Sequence, residues 1–442
     1  VSGSAFALVD TGGASPVALL GDRHAFLLAG PRDGAERFAA HVARLGPLPA
    51  VDADALVALA RESGLGGRGG GGFPVAVKLE AVRAAAEQRR RRPVVVVNGS
   101  ESEPASRKDR TLLESRPHLV LDGAVLAARA LRASRVVVHL HTGHPRSEAT
   151  VRKAIVERAH GAGSGSEPEI GVSLAPARYV GGEASAVAAS IEGGPALPRF
   201  STEPLAVAGV HGRPTLVQNV ETMAHLALLA RHGVRRWRSS GASPWCGPAL
   251  VTLAGAVSSP GLVVEVTGPV TIGALLRAVG GRRAAPAAVL VGGYAGTWLP
   301  GPCAGHLSVE PASLAAVGAS FGCGVIGCLP STACPLAETA RLVTWLSEQG
   351  AGQCGPCVLG LPALARCMQS IGLGTATRGD RARLERLLAL IEGRGACRHP
   401  DGIARLVRSA LHAFGQDVDR HLRHRPCPGS STPPVLPLPN DD

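Results

Sequence analysis

Residues Gly64 to Lys78 read Gly-Leu-Gly-Gly-Arg-Gly-Gly-Gly-Gly-Phe-Pro-Val-Ala-Val-Lys, and this run constrains the fold more than any other stretch. Six of the seven residues from Gly66 to Gly72 are glycine, interrupted only by Arg68. Without side chains the backbone amides are uncovered and can cradle a phosphate, with Arg68 and Lys78 supplying positive charge. A flexible linker has a similar composition. Here a helix-like apolar segment precedes the run, and Phe73-Pro74 and a fixed lysine follow it, so a phosphate-bearing cofactor is the preferred reading.

The rest of the composition points to the same segments. The chain carries 46 basic residues, of which only Lys78, Lys108 and Lys153 are lysine; asparagine occurs only at 98, 219 and 440, tyrosine only at 179 and 294. Lys78, Lys108, Asn98, Tyr179 and Asn219 all fall in a few polar, glycine-containing stretches, as residues of one site would. The net charge of +12 suits an acidic partner. The arginines are nevertheless spread along the chain and aromatics make up 3%, which disfavours nucleic acid and favours a solvated surface. The start, Val1-Ser-Gly-Ser-Ala-Phe6, lacks the pattern of an export signal, and no apolar run approaches a membrane span. A cytoplasmic location with reduced or metal-bound thiols is expected for the ten cysteines.

At 442 residues about three domains are expected. After a mixed N-terminal segment (1–50) with a strand-like His24 to Leu28, helical spacing from Val51 to Ser63 leads into the glycine run. Pro93 to Val97 reads as a buried strand ending at Asn98, Leu119 to Leu131 as a helix, Arg135 to His141 as a strand and Ala149 to Ala159 as a helix, before a Gly161 to Ser166 loop. That βαβ alternation predicts a parallel sheet with ligands at strand ends over 51–245. From 246 to 332 the pattern is strand-rich, with runs at Ala249 to Gly255, Gly261 to Val266, Ala287 to Val291 and Gly322 to Ile326, and a helix from Ile272 to Val279. From 333 to 425 it is helical, and the proline- and serine-rich tail, 426–442, is expected to be disordered.

Cys354-Gly-Pro-Cys357 lies in a glycine-rich turn, and Cys397 in a similar break downstream. Spacing alone leaves zinc, an iron–sulfur cluster, redox-active thiols and inert thiols open. Cys323, Cys328, Cys334 and Cys367 read as small core residues, because their surroundings are apolar.

In the order of these motifs the chain resembles the flavin-containing, NADH-oxidising subunit of respiratory complex I and of NAD-linked hydrogenases and formate dehydrogenases, from about Gly64 to Gly402. Gly64 to Lys78 resembles the family's glycine-rich loop; Asn98-Gly-Ser-Glu-Ser-Glu-Pro104, with Lys108-Asp109-Arg110, its acidic loop; Tyr179-Val-Gly-Gly-Glu183 and Gln218-Asn219-Val220-Glu221-Thr222, segments lining the flavin. The resemblance implies an α/β plus α architecture: a Rossmann-like FMN domain, a ubiquitin-like β-grasp (soluble-ligand-binding) domain and a C-terminal helical iron–sulfur bundle. It implies hydride transfer from NAD(P)H to FMN and single-electron transfer to a cluster. Gly64, Gly67, Arg68, Gly69, Gly70, Gly72, Phe73, Lys78, Asn98, Glu101, Tyr179, Gly182, Glu183, Gln218, Asn219 and Thr222 would contact cofactor, Glu101 and Glu103 would shape the nicotinamide side, and Cys354, Cys357 and Cys397 would hold the metal.

The chain departs from that family at telling places. Ala351 stands where the first of three clustered cysteines is expected, leaving a three-thiolate site for [3Fe–4S], or for [4Fe–4S] with a fourth ligand such as Cys334, Cys367 or His399. Ala184 replaces an acidic residue after Glu183; Ser100, Leu79 and the Ser201 to Leu205 stretch also differ. Losing several hydrogen bonds and aromatic contacts costs roughly 1 kcal/mol per hydrogen bond and about 0.5–1.5 per aromatic contact. The reading is an NADH-oxidising electron-transfer protein, working with a redox partner of ferredoxin-like type or with other complex subunits, in the cytoplasm or peripheral to a membrane complex. The alternatives are a non-nicotinamide donor, a non-catalytic scaffold, and a binding module in which the β-grasp domain recognises a small molecule.

Overall fold

The structure, a computed structural model, describes residues 6–9, 17–21, 25–31, 33–161, 167–239, 247–280 and 285–439. The chain divides into two compact units. The first comprises Val1–Ser102, Arg107–Val251 and Leu262–Pro269; the second comprises Glu103–Ser106, Thr252–Gly261 and Val270–Asp442.

In the first unit, strands β1 (Phe6–Val9) and β2 (Val17–Gly21) pair antiparallel. Helices α1 (Phe38–Leu45), α2 (Ala53–Ser63) and α3 (Val75–Arg89) follow. Strand β3 (Val94–Gly99) leads to α4 (Lys108–Ser115) and α5 (Pro117–Ala130), and β4 (Arg135–His141) to α6 (Pro145–Gly161). Then come β5 (Ile170–Ala175), α7 (Ala184–Ile191), β6 (Thr215–Asn219) and α8 (Val220–Ser239). Strands β3 to β6 form a four-stranded parallel sheet in the order β5-β4-β3-β6. Val94 to Val97 are all at most 1% exposed, as expected of a β-branched run covered on both faces. The register sets Asn98 beside Asn219, so both asparagines sit at the carboxyl edge of the sheet, where ligands of such sheets bind.

Helix α5 is buried nearly all round and crosses α8 closely: a Cβ at Gly123 would lie 1.9 Å from the Met223 carbonyl oxygen. Its one buried carboxylate, Asp122, is met by His41 Nε2 at 2.8 Å, Arg158 Nη1 at 2.8 Å and Arg231 Nη2 at 2.5 Å. Glu36 completes this buried network through His41 and Arg44. The strand expected over His24 to Leu28 is absent for residues 25–28, and His24 lies outside the described residues. Those amides need no strand partner, because the buried Glu265 carboxylate accepts from the N–H groups of Phe26, Leu27 and Leu28. Of the predicted Gly161 to Ser166 loop, Gly161 closes α6 and the rest lies outside the described residues.

Strand β7 (Ala249–Gly255) passes from the first unit into the second, and β8 (Val263–Thr267) runs parallel to β2 in the first. In the second unit, α9 (Ile272–Gly280), β9 (Ala288–Val291), β10 (Thr297–Pro300), α10 (Gly301–Ala304), α11 (Pro311–Ala315) and β11 (Val325–Leu329) make the strand-rich part. Residues Thr252–Gly255 run parallel to β11, which pairs antiparallel with β9, and β9 antiparallel with β10. Helices α12 (Pro335–Glu348), α13 (Leu361–Gly372), α14 (Arg378–Ile391), α15 (His399–Ala413) and α16 (Gly415–His421) follow. The tail expected to be disordered is ordered through residue 439. It makes a short 3₁₀ turn over Pro428–Ser431 and buries Leu436, whose N–H donates to Glu338 at 2.9 Å. Among the described residues no helix is long and apolar enough to cross a membrane.

Candidate functional site

The glycine run is a closed loop. Gly67 N–H donates to the Phe73 carbonyl at 2.9 Å and Val75 N–H to Leu65 at 3.0 Å, bracing the neck, and the Arg68 N–H donates to Thr222 Oγ1 at 2.9 Å. A Cβ at Gly66 would lie 2.8 Å from the Gly72 carbonyl oxygen, and one at Gly69 3.3 Å from Asn219 Cβ, so these positions tolerate no side chain without movement. Gly70 and Gly72 have φ of 108° and 61°, and a Cβ at 70, 71 or 72 would meet nothing within 4 Å. The loop therefore carries one face packed on the sheet edge and one bare face. Gly64 serves the helix before the loop, terminating α2 at φ 70°.

Beside this loop lie Lys78 and Gln218. Lys78, half-buried in the first turn of α3, donates from Nζ to the Val217 carbonyl at 3.3 Å and sits 5.9 Å from the Phe73 ring centroid. Burial holds its ammonium below the ordinary lysine pKa. Gln218, 2% exposed, turns its carboxamide toward Gly67, and its Nε2 finds no hydrogen-bond partner among the described residues.

Lys108, 1% exposed, is the centre of a second polar group. Its Nζ lies 2.7 Å from Asp109, 3.1 Å from Glu221 and 3.1 Å from Asn219 Oδ1, and Asn219 Nδ2 donates to Asp109 at 2.6 Å. Burial raises the Asp109 carboxyl to about 6, the nearby Glu101 charge adding to it against the pull of Lys108. Burial would raise Glu221 too, but Lys108 outweighs it and holds that carboxyl at about 2. Asn98 bridges β3 to the turn Tyr179–Gly182: its Nδ2 donates to the Gly182 carbonyl at 2.8 Å and its Oδ1 accepts from Ser100 N–H at 3.3 Å.

The acidic residues Glu101 and Glu103, expected at the nicotinamide side, and Glu183, expected near the flavin, each accept hydrogen bonds from backbone amides. Glu101, at φ 37°, accepts from the N–H groups of Asp109 and Arg110 at 2.8 and 2.9 Å and so caps α4. Glu183 caps α7 through the Ser185 and Ala186 amides. In the second unit, Glu103 accepts from Tyr294 N–H at 2.9 Å.

The second unit gathers the predicted metal ligands. The Cys354 sulfur accepts from the N–H groups of Ala396 and Cys357 and from the Cys357 thiol, which brings the Cys397 segment against the Cys354–Cys357 turn. Together these donors hold the Cys354 thiol below its usual pKa although burial opposes them, while burial and the Cys354 charge push Cys357 up to about 11. Position 351 lies beside this turn. Gly352 N–H donates to the Cys357 sulfur, and a Cβ at Gly350 would sit 3.4 Å from it.

Residues 60–228 match the Nuo51 FMN-binding domain, and residues 337–421 match the NADH-ubiquinone oxidoreductase-F iron–sulfur binding region. The F subunit of NADH-quinone oxidoreductase from Streptomyces coelicolor is 31% identical over 395 residues, covering 86% of this chain and 85% of that protein. The chain belongs to the family of NADH-quinone oxidoreductase F subunits. Another relative, the second F subunit of Rhizobium meliloti, is 30% identical over 389 residues, covering 85% of this chain and 90% of the relative. Among solved structures, the NAD+-reducing [NiFe]-hydrogenase in its H2-reduced state is similar with a TM-score of 0.75 and 29% identity. That match covers 84% of this chain but 63% of the hydrogenase chain.

For this member of the F subunits, the fourth-ligand candidates differ in their surroundings. His399 Nε2 donates to the Leu346 carbonyl at 2.8 Å, which leaves only Nδ1 as a nitrogen that could ligate. Cys334, read from sequence as a core thiol or a spare ligand, is buried and lies with His421 and Cys427. Cys367 is a buried thiol in α13, its pKa raised by burial, in keeping with a core role. Sequence reasoning missed the Lys108–Glu221 pair, although a lysine kept in an arginine-rich chain signalled it. It missed Cys427 altogether, because the tail around it has a disordered composition.

Proposed function

We propose that this chain oxidises NADH at an FMN held against the glycine loop and passes electrons to an iron–sulfur centre at Cys354, Cys357 and Cys397. The observation that carries this is Lys78: a half-buried ammonium with one carbonyl partner, beside a bare glycine loop and an unpartnered Gln218 amide at the carboxyl edge of a parallel sheet. These groups fit a phosphate-bearing flavin, since they offer uncovered amides, a cation and a free carboxamide donor in one place. When bound, FMN supplies the exchange of one hydride for two single electrons. Lys78 and Gln218 would donate to the flavin's polar edge, the amides of Gly67 to Gly72 would face its phosphate, and the Lys108 group would hold Asn219 in place. We read the four-stranded part as Rossmann-like, the strand-rich part over 246–332 as a β-grasp domain, and 333–425 as a helical iron–sulfur bundle. The reading extends to a place beside other subunits of a redox complex, as its relatives' names describe.

The thiols fit a cluster with three protein ligands. Ala351→Cys is expected to add a fourth thiolate beside Cys357, raising iron to about four per chain and removing any [3Fe–4S] electron paramagnetic resonance signal. A persisting [3Fe–4S] signal with iron still at about three per chain in that variant would remove position 351 from the site.

An anaerobic visible spectrum before and after NADH tests the central reading. A flavin band that bleaches is the expected result, and Lys78→Ala is expected to purify with less than a tenth of the wild-type flavin, a loss of about 1.4 kcal/mol or more in binding. Retained flavin in Lys78→Ala would exclude Lys78 from the site. A second reading, with a ferredoxin-type donor, draws on Glu183 being engaged as a helix cap and followed by Ala184. It predicts bound flavin that NADH leaves oxidised.

A further inference from the structure

We propose that Cys334, His421 and Cys427 form a second metal site, a mononuclear zinc centre that fastens the C-terminal tail to the helices. Among the described residues these three are the one group of metal-ligating side chains whose donor atoms all lie within 4.8 Å of one another. The Cys334 and Cys427 sulfurs are 3.0 Å apart, His421 Nε2 is 2.9 Å from the Cys427 sulfur, and the Cys334 sulfur is 3.6 Å from Nε2. A tetrahedral ion with Zn–S of about 2.3 Å and Zn–N of about 2.0–2.1 Å holds such atoms roughly 3.5–3.8 Å apart. One ion therefore enters if Cys427 withdraws by less than ~1 Å. A cubane cluster, by contrast, needs its thiolates much farther apart.

Each donor is held for this role by its place in the chain. Cys334 is the N-cap of α12, its sulfur accepting from Ala337 N–H at 3.4 Å, and a helix N-terminus favours the thiolate that a metal requires. His421 ends α16, and its Nδ1 donates to the Ile371 carbonyl at 2.7 Å. That bond fixes the tautomer, leaving the Nε2 lone pair toward the two thiols, as the outer partner of a metal-bound histidine does. Cys427 stands on the tail, where its own N–H points at Nε2 at 3.0 Å, a bond that a metal would replace. Its loop is pinned by Cys334 N–H donating to the Gly429 carbonyl at 3.2 Å and Ser430 N–H to the Cys427 carbonyl at 2.9 Å.

The donor set selects the ion. Two thiolates and an imidazole without a carboxylate suit zinc and exclude magnesium and calcium. A water would complete the tetrahedron, and binding would release the two thiol protons. The family's iron–sulfur region covers residues 337–421, so Cys334 and Cys427 both fall outside it. The role that follows is structural: downstream of Cys427, Leu436 and Val435 hang on Glu338 and the Tyr294 hydroxyl on the Pro437 carbonyl.

The test is elemental analysis of the full chain expressed with its cofactors, with zinc-edge absorption spectroscopy. About one zinc per chain is expected, bound by two sulfurs and one nitrogen. Cys427→Ser is expected to lower zinc at least roughly tenfold, leave flavin and iron unchanged, and open the tail to protease. Because Cys427 is half-buried and outside any helix, that variant should fold; wild-type flavin content in it verifies this. Wild-type protein without zinc, zinc retained in Cys427→Ser, or a Cys334–Cys427 disulfide found by mass spectrometry would each overturn the proposal.

Discussion

Lys108→Met is expected to destabilise the first unit by about 3–5 kcal/mol, the cost of removing one partner from a buried ion pair. Methionine fills nearly the same volume, so the loss is electrostatic. Lys108 is 1% exposed, and without its ammonium Asp109 and Glu221 face each other's neighbourhood buried and uncompensated. Glu221 suffers more, because Lys108 is what holds its carboxyl at about 2 in a site whose burial would raise it. Glu221 also accepts from the Leu250 N–H at 3.1 Å, so the disturbance spreads to β7. Denaturant unfolding of Lys108→Met and of the double variant Lys108→Met/Glu221→Gln checks this. The double variant removes one stranded charge and should recover part of the loss. If it is no more stable than the single variant, the charge argument fails.

The same residue shows what a sequence can and cannot disclose. The glycine loop, the strand Val94 to Val97 and the strand Arg135 to His141 were legible because their signals are local: a residue type that permits left-handed backbone, and β-branched runs of the right length. The place of Asn98 at the end of its strand was legible too, but that of Asn219 beside it was not, because the strand Thr215–Asn219 that carries it gave no signal of its own in the sequence. The roles of the acidic residues were not legible. Glu101, Glu183 and Glu265 all lie in plausible binding or strand segments, and each proves to bind backbone amides, a role set by how the chain returns on itself. Glu265 is the clearest example, because it replaces the strand partner that residues 26–28 were expected to need from 238 or so residues away in sequence. The tail was misjudged for the same reason: its composition is that of a disordered segment, while its order rests on Glu338 and on Cys334, contacts that composition does not encode.

Asp122→Asn should cost a further large amount, about 3–5 kcal/mol, and it also predicts a change in pH dependence. The amide keeps the shape of the carboxylate but leaves Arg158, Arg231 and His41 converging on a neutral group in the core. Burial alone would raise the Asp122 and Glu36 carboxyls, yet their cationic partners hold both below the usual range, Glu36 at about 2. Stability from these depressed carboxylates is fully present above about pH 4.5 and is lost as pH falls toward 2. Burial would lower His41, but Asp122 and then Glu36 outweigh it and raise its pKa above 6.5. Its contribution is fully present below 6.5 and is lost as pH rises through the raised value. The network is therefore strongest between about pH 4.5 and 6.5, and thermal unfolding across pH should show a shoulder there. In Asp122→Asn, His41 loses its nearest carboxylate at 2.8 Å, so the decline above pH 6.5 should flatten while Glu36 preserves part of the acid arm. Two curves displaced from one another by a constant amount at every pH would mean that Asp122 acts through packing and that the proton on His41 is held by something else.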